Sequence, residues 1–185
     1  MNIGIYIGIG VLAILILFVI AQYNRLVRLN VHVDEAFAQI EVQLKRRSDL
    51  IPNLVETVKG YAKHEQATLD AVIQARARAT TATTVADVAA ADGALTQALR
   101  GLLAVAEAYP DLKASSNFLS LQEELSTTEN KVAFSRQFYN DNVRLLNTAV
   151  KTIPTSFFVG FAKVGERDFY VVENPEDRNA PKVNF

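Results

Sequence analysis

From Ile3 to Ala21, nineteen residues run without a charge and are rich in Ile, Leu and Val. At ~1.5 Å per residue a helix of that length covers roughly 28 Å, about one hydrocarbon core. Tyr6 and Tyr23 stand near its two ends, where amphipathic rings suit the headgroup region. Beyond it the pattern turns amphipathic without a helix breaker: Leu26, Leu29, Val33, Phe37, Ile40 and Leu44 recur at intervals of three and four. Arg25, Arg28, Asp34, Glu35 and Glu41 fall between them on the wet face. The pattern predicts one rod from the membrane segment to about Arg47, roughly 65 Å long at the α-helical rise.

Ser48 and Asp49 then precede Pro52 and Asn53. Proline is at home in a first helical turn, so a tight reversal is expected here, with a new helix starting near Pro52. Leu54, Val58, Leu69, Val72 and Ala75 carry the helical period onward to the Thr80–Thr84 cluster, where Thr84 is the expected cap of a third helix. That helix is rich in Ala and Leu, runs to about Ala108, and holds Gly93 and Gly101, which make it the least stable of the set. Pro110 ends it, and Ser116 or Asn117 opens a last long helix with an apolar seam of Leu121, Leu125, Val132, Phe138, Val143, Leu146 and Val150. Short turns between such helices favour antiparallel neighbours. The expected fold is therefore all-α: an N-terminal transmembrane helix (1–22), an antiparallel up-and-down four-helix bundle (23–153), and an aromatic-rich C-terminal tail (154–185) packed on it. The tail carries five of the ten phenylalanines, with a short helix expected near Ser156–Ala162. Phe157, Phe158 and Phe161 are its candidate surface for a protein partner or a bilayer.

Composition narrows the function more than it identifies it. A net charge of −1 leaves no basic excess to neutralise a phosphate backbone, so nucleic acid is not an expected partner. The absence of cysteine removes disulfides, thiolate nucleophiles, sulfur-bound zinc and a lipidated cysteine. No Lys or Arg precedes the apolar run, which argues against a cleaved signal peptide and for a retained anchor. Arg25 and Arg28 follow it, so the positive-inside bias places the bundle in the cytoplasm with the N-terminus outside. Gly4 and Gly8 have the spacing that lets two membrane helices approach closely.

Candidate chemistry is sparse. His32 and His64 are the only histidines, and Leu29 and Tyr61 stand three residues before them, where a di-iron bundle would place glutamates. Glu123, Glu124 and Glu129 have no histidine partner, and no glycine-rich phosphate loop or nucleophile elbow occurs. The expectation is no active site and no cofactor or metal. Three polar features remain. Lys45, Arg46 and Arg47 form a basic knot at the end of the expected rod, either offsetting a helix dipole or docking an acidic partner. Asn24 and Asn53 flank the first soluble helix as turn residues. Glu129, Arg136, Asn140 and Asn147, spaced seven, four and seven apart, share one helix face beside the seam, where polar groups fix register between helices or meet a partner.

Several of these residues belong to longer stretches with a familiar order: Tyr23-Asn-Arg-Leu-Val-Arg28, then Val42-Gln-Leu-Lys-Arg-Arg-Ser-Asp-Leu-Ile-Pro-Asn-Leu-Val-Glu-Thr-Val-Lys-Gly-Tyr61, then Thr128-Glu-Asn-Lys-Val132, Tyr139 with Asn140, and the ending Ala180-Pro-Lys-Val-Asn-Phe185. Along nearly its whole length the chain resembles the LemA family of bacterial proteins, Leu44–Tyr61 being the most specific stretch. The resemblance implies a four-helix bundle behind an N-terminal membrane segment, an envelope-associated role and no established enzymatic activity. Family members with a lipobox cysteine carry their domain outside the cytoplasm; this chain has no such cysteine. Where the family often repeats a Tyr-Asn pair, this chain has Leu145-Leu146 and keeps only Asn147. The function expected from the whole reading is a membrane-anchored scaffold or adaptor acting by self-association or on protein partners. The alternative is a lipid-binding or membrane-remodelling protein working through its aromatic tail.

Overall fold

The computed structural model describes residues 3–172. The expected tail from residue 173 on, with Phe185 and the closing Ala180–Phe185, lies outside them. Among the described residues the chain is all-helical, without strands. Its order is α1 (Ile3–Tyr61), α2 (Gln66–Thr81), α3 (Val85–Glu107), α4 (Pro110–Lys113), α5 (Ser116–Lys151), a 3₁₀ turn (Thr155–Phe158) and α6 (Val159–Ala162). They divide into two compact units. One takes in the chain up to Ala38 with Gln137–Asp168; the other takes in Gln39–Arg136 with the chain from Phe169 on.

The reversal expected around Ser48–Asn53 does not occur. α1 runs through Pro52 and ends only at Tyr61. Proline inside a helix has no N–H for the carbonyl four residues back, here that of Ser48. Arg76 on α2 supplies the missing donor: its Nε lies 2.9 Å from the Ser48 carbonyl oxygen. The break falls instead at Ala62–Glu65, where exposed Lys63 and His64 interrupt the apolar period and Ala62 is held in the core. Thr84 caps α3 as expected, its Oγ accepting from the Asp87 amide at 3.1 Å while its hydroxyl donates to the Asp87 carboxylate. Pro110 stops the helix before it and opens the short α4.

In the second unit one core draws Ile51, Leu54 and Val58 from α1, Leu69 and Val72 from α2, Leu95, Leu99 and Leu102 from α3, Leu112 from α4, and Phe118 and Leu125 from α5. α4 thus adds a core residue to the long helices around it. In the first unit Leu26, Val33 and Ala36 of α1 and Val143, Leu146 and Ala149 of α5 are buried. The expected seam needs one correction here. Phe138 is exposed and Tyr139 is fully buried in its place. Tyr139 packs on Phe37 at 5.6 Å between ring centroids and donates its hydroxyl to the Asp168 carbonyl at 2.9 Å. A tyrosine can take that seat because the Asp168 carbonyl gives its buried hydroxyl a partner. Burial also raises its phenol above the ordinary value.

Candidate interaction sites

The densest polar feature lies inside the second unit and centres on Asp92 of α3. Arg47 and Asp92 are each 1% exposed. Arg47 Nη1 is 2.8 Å from Asp92 Oδ1, and its Nη2 is 2.8 Å from Glu129 Oε2 on α5. Arg136, also on α5, pairs with the other Asp92 oxygen, and the Tyr170 hydroxyl donates to that oxygen at 2.7 Å. The Arg136 guanidinium carbon sits 5.5 Å from the centre of the Tyr170 ring. Two cations thus balance two anions, which lets so much charge leave water. The cluster is nonetheless not saturated, since Nε of both arginines is buried without a partner. Burial, followed by the neighbouring Asp92 carboxylate, pushes the Tyr170 phenol well above its ordinary value.

Beside the cluster α1, α2 and α3 enclose a cavity of about 400 Å³ lined in part by Leu44, Ser48, Arg76, Ala79, Val88 and Asp92. Ser48 Oγ is buried there without a hydrogen-bond partner. No histidine lines the cavity to act as its base, so the arrangement lacks the pairing that activates a serine. Among the described residues no group of three or more metal-binding side chains comes together. A second feature of this unit is a surface groove between α1 and α5, lined by Gln39, Gln43, Thr127, Asn130, Lys131 and Phe134. Phe134 and Val42 are largely exposed beside it, and Gln43 Oε1 is buried without a partner.

The first unit holds two sites of its own. Asn147 grips the extended chain after α6 at both backbone groups of one residue: its Nδ2 donates to the Arg167 carbonyl and its Oδ1 accepts from the Arg167 amide, each at 2.9 Å. Arg167 in turn reaches Asp34 and Asn30 on α1. At the other site the 3₁₀ turn and α6 lie on the end of the apolar run. Phe158 meets Phe18 edge-on at 6.4 Å, Phe161 meets Tyr23 edge-on at 5.6 Å, and Thr155 donates to Gln22 Oε1 at 3.2 Å.

A family model described as the LemA family matches residues 36–185. The chain belongs to the LemA family. It is also 25% identical over 138 residues to Protein LemA of Metamycoplasma hominis, an alignment covering 74% of this chain and 63% of that protein. The chain therefore spans less than two thirds of the relative it matches. The matched region takes in every residue of the charge cluster and of the Asn147 clamp, while the apolar run of α1 lies ahead of it.

In this LemA-family chain the residues expected to act together are separated. Arg47, Glu129 and Arg136 join the Asp92 cluster. Lys45 and Arg46 stay exposed, Lys45 pairing with Asp49 at 3.1 Å. The basic knot is thus not a solvated helix end: α1 continues beyond it, and Arg47 alone turns inward. Asn147 works in the first unit, and Asn140, half-buried, belongs to that unit too. Gly4 and Gly8 have open space where a side chain would project. Asp92, Tyr170 and Arg167 were not singled out by the sequence reading. The signal for Asp92 was a lone carboxylate inside an Ala/Leu-rich helix, where only a buried cation could make it tolerable. Gly93, beside it, was read as a weak point; a Cβ there would come within 3.2 Å of Val172, so glycine admits the extended chain close to α3.

Proposed function

We propose that this LemA-family chain is a membrane-anchored helical adaptor, not an enzyme, and that it works by self-association and by presenting its folded part to protein partners. The observation that carries the reading is in α1. Its first eighteen residues, Ile3–Ile20, are exposed throughout, and the same helix continues without a break into packed structure. An uncovered run of Ile, Leu, Val and Phe of that length is stable in a bilayer and not in water. The long helices α1, α2, α3 and α5 form an up-and-down four-helix bundle in this reading, on the cytoplasmic side, in keeping with Arg25 and Arg28 after the run.

Two features support self-association. Gly4 and Gly8 leave room for a second anchor at close range. The groove beside Phe134 and Val42 has Lys131 as its one charge and otherwise offers amides, hydroxyls and an exposed aromatic ring, the composition of an interface core. The test is native mass spectrometry of the full chain in nanodiscs, comparing wild type with Val42→Glu/Phe134→Glu and with Gly4→Leu/Gly8→Leu. Oligomers in the wild type that dissociate in either pair support the reading. A wild type that is monomeric and captures no partner on crosslinking in its own cells overturns it. Orientation is tested separately, since the chain has no cysteine of its own. Single cysteines at Asn2 and at exposed Ala90 are probed in intact cells with an impermeant thiol reagent; labelling at Ala90 with Asn2 protected reverses the proposed topology.

A further inference from the structure

The 3₁₀ turn and α6 present three large apolar side chains to the outside: Ile153, Phe157 and Phe161 are 75%, 76% and 75% exposed. They recur every fourth residue, so on helical turns they share one side. Exposure of this kind at one such residue is ordinary, but three together on ten residues form a patch that calls for a covering. The position of the patch says what covers it. The opposite side of the same element is fastened to α1 at Phe18, Gln22 and Tyr23, the last turns of the apolar run and the first polar residues after it. Thr155, at the centre of that attachment, is 1% exposed. Exposed cations stand just beyond on both segments, Arg25 and Arg28 on α1 and Lys163 after α6. Rings at the end of an apolar span with cations immediately outside them are the pattern of a bilayer interface, where aromatic side chains settle among the headgroups and cations reach phosphate.

From this placement we infer that residues 153–162 form a membrane-embedded foot, with Ile153, Phe157 and Phe161 inserted at the headgroup–acyl boundary beside the exit of α1. The foot rests on the reading of Ile3–Ala21 as an anchor. It adds a second point of lipid contact, distant in sequence, that sets the depth and rotation of α1 in the bilayer. Rigid contact at residues 18, 22 and 23 makes this possible, because a loosely tethered turn could insert without orienting the helix.

The chain has no tryptophan, so single-tryptophan variants report one position each. Phe157→Trp, Phe161→Trp, Leu12→Trp and Ile73→Trp are made in the full chain and reconstituted in phosphatidylcholine vesicles containing a minor fraction of phosphatidylglycerol. A share of the phosphatidylcholine carries bromines either near the headgroup or near the chain ends. The expected result is blue-shifted emission from the two foot variants, quenched at least about twofold more by shallow bromines than by deep ones. Leu12→Trp is quenched more by deep bromines, and Ile73→Trp, on exposed α2, by neither. Foot variants that emit like Ile73→Trp while Leu12→Trp is quenched overturn the foot and leave the anchor standing. Blue-shifted foot variants that escape quenching mean that protein covers the patch, which also overturns it. An unquenched Leu12→Trp removes the anchor reading and the foot with it.

Discussion

Arg47 and Asp92 form an ion pair at 2.8 Å although forty-five residues separate them and neither is accessible to water. Two further donors converge on the same carboxylate, from Arg136 and Tyr170. A buried pair of this kind adds little net stability compared with apolar packing, but removing one partner leaves an uncompensated charge. Asp92→Ala is therefore expected to cost about 3–5 kcal/mol, because two arginines then share only Glu129. Glu129→Gln, at the more exposed edge of the cluster, is expected to cost no more than about 1 kcal/mol. Urea denaturation of the full chain in detergent, followed by circular dichroism, measures both; equal losses would mean that the cluster is not organised around Asp92.

Tyr170 gives the same cluster a pH dependence. Burial and the Asp92 carboxylate hold its phenol above the ordinary value, so the folded state favours the protonated form. That contribution is complete below the unfolded value near 10 and is lost as pH rises above it. Wild-type stability should fall through the alkaline range, and Tyr170→Phe should remove this share of the slope. The variant itself takes one donor from a buried carboxylate, at a cost of about 1–3 kcal/mol at neutral pH. Stability curves of both proteins at neutral pH and at about pH 11 decide the matter: parallel curves would exclude Tyr170 as the titrating group.

The passage of α1 through Pro52 depends on Arg76. Arg76→Met leaves the Ser48 carbonyl without its donor and is expected to cost about 1–3 kcal/mol. In a Pro52→Ala background the restored amide takes over that carbonyl, so the same change should cost about 1 kcal/mol less. A double-mutant cycle with no coupling would show that the proline is accommodated by other means.

Asn147 offers a test within one side chain. Asn147→Ala removes both bonds to Arg167, whereas Asn147→Asp keeps the acceptor for the Arg167 amide and loses the donor to its carbonyl. Hydrogen exchange at the Arg167 amide should accelerate in the alanine variant and stay protected in the aspartate variant. Acceleration in both would mean that the clamp works through the carbonyl alone.

Much of the helical framework was legible because it is local. The period of three and four along Leu26, Val33 and Ile40, and along Leu125, Val132, Val143 and Leu146, marks side chains that the structure buries. Thr84 could be read as a cap because its partner, the Asp87 amide, lies three residues away. Pro52 misled for the opposite reason. Its local preference is to begin a helix, and the donor that lets α1 continue comes from another helix twenty-eight residues later.

The sites divide along the same line. The sequence by itself determined that Ile3–Ala21 is uncharged and apolar, that the rest is helical, and that Arg47, Glu129, Arg136 and Asn147 are polar groups beside a seam. Periodicity reports which side of a helix a residue occupies and nothing about what meets it there. Only the tertiary structure decided that Arg47 turns inward while Lys45 and Arg46 do not, and that Asp92 and Tyr170 complete its cluster. It alone brought Phe158 and Phe161 to Phe18 and Tyr23. Each of these contacts joins segments far apart in the chain, and the free energy of such a contact depends on burial and partner geometry that no stretch of sequence contains.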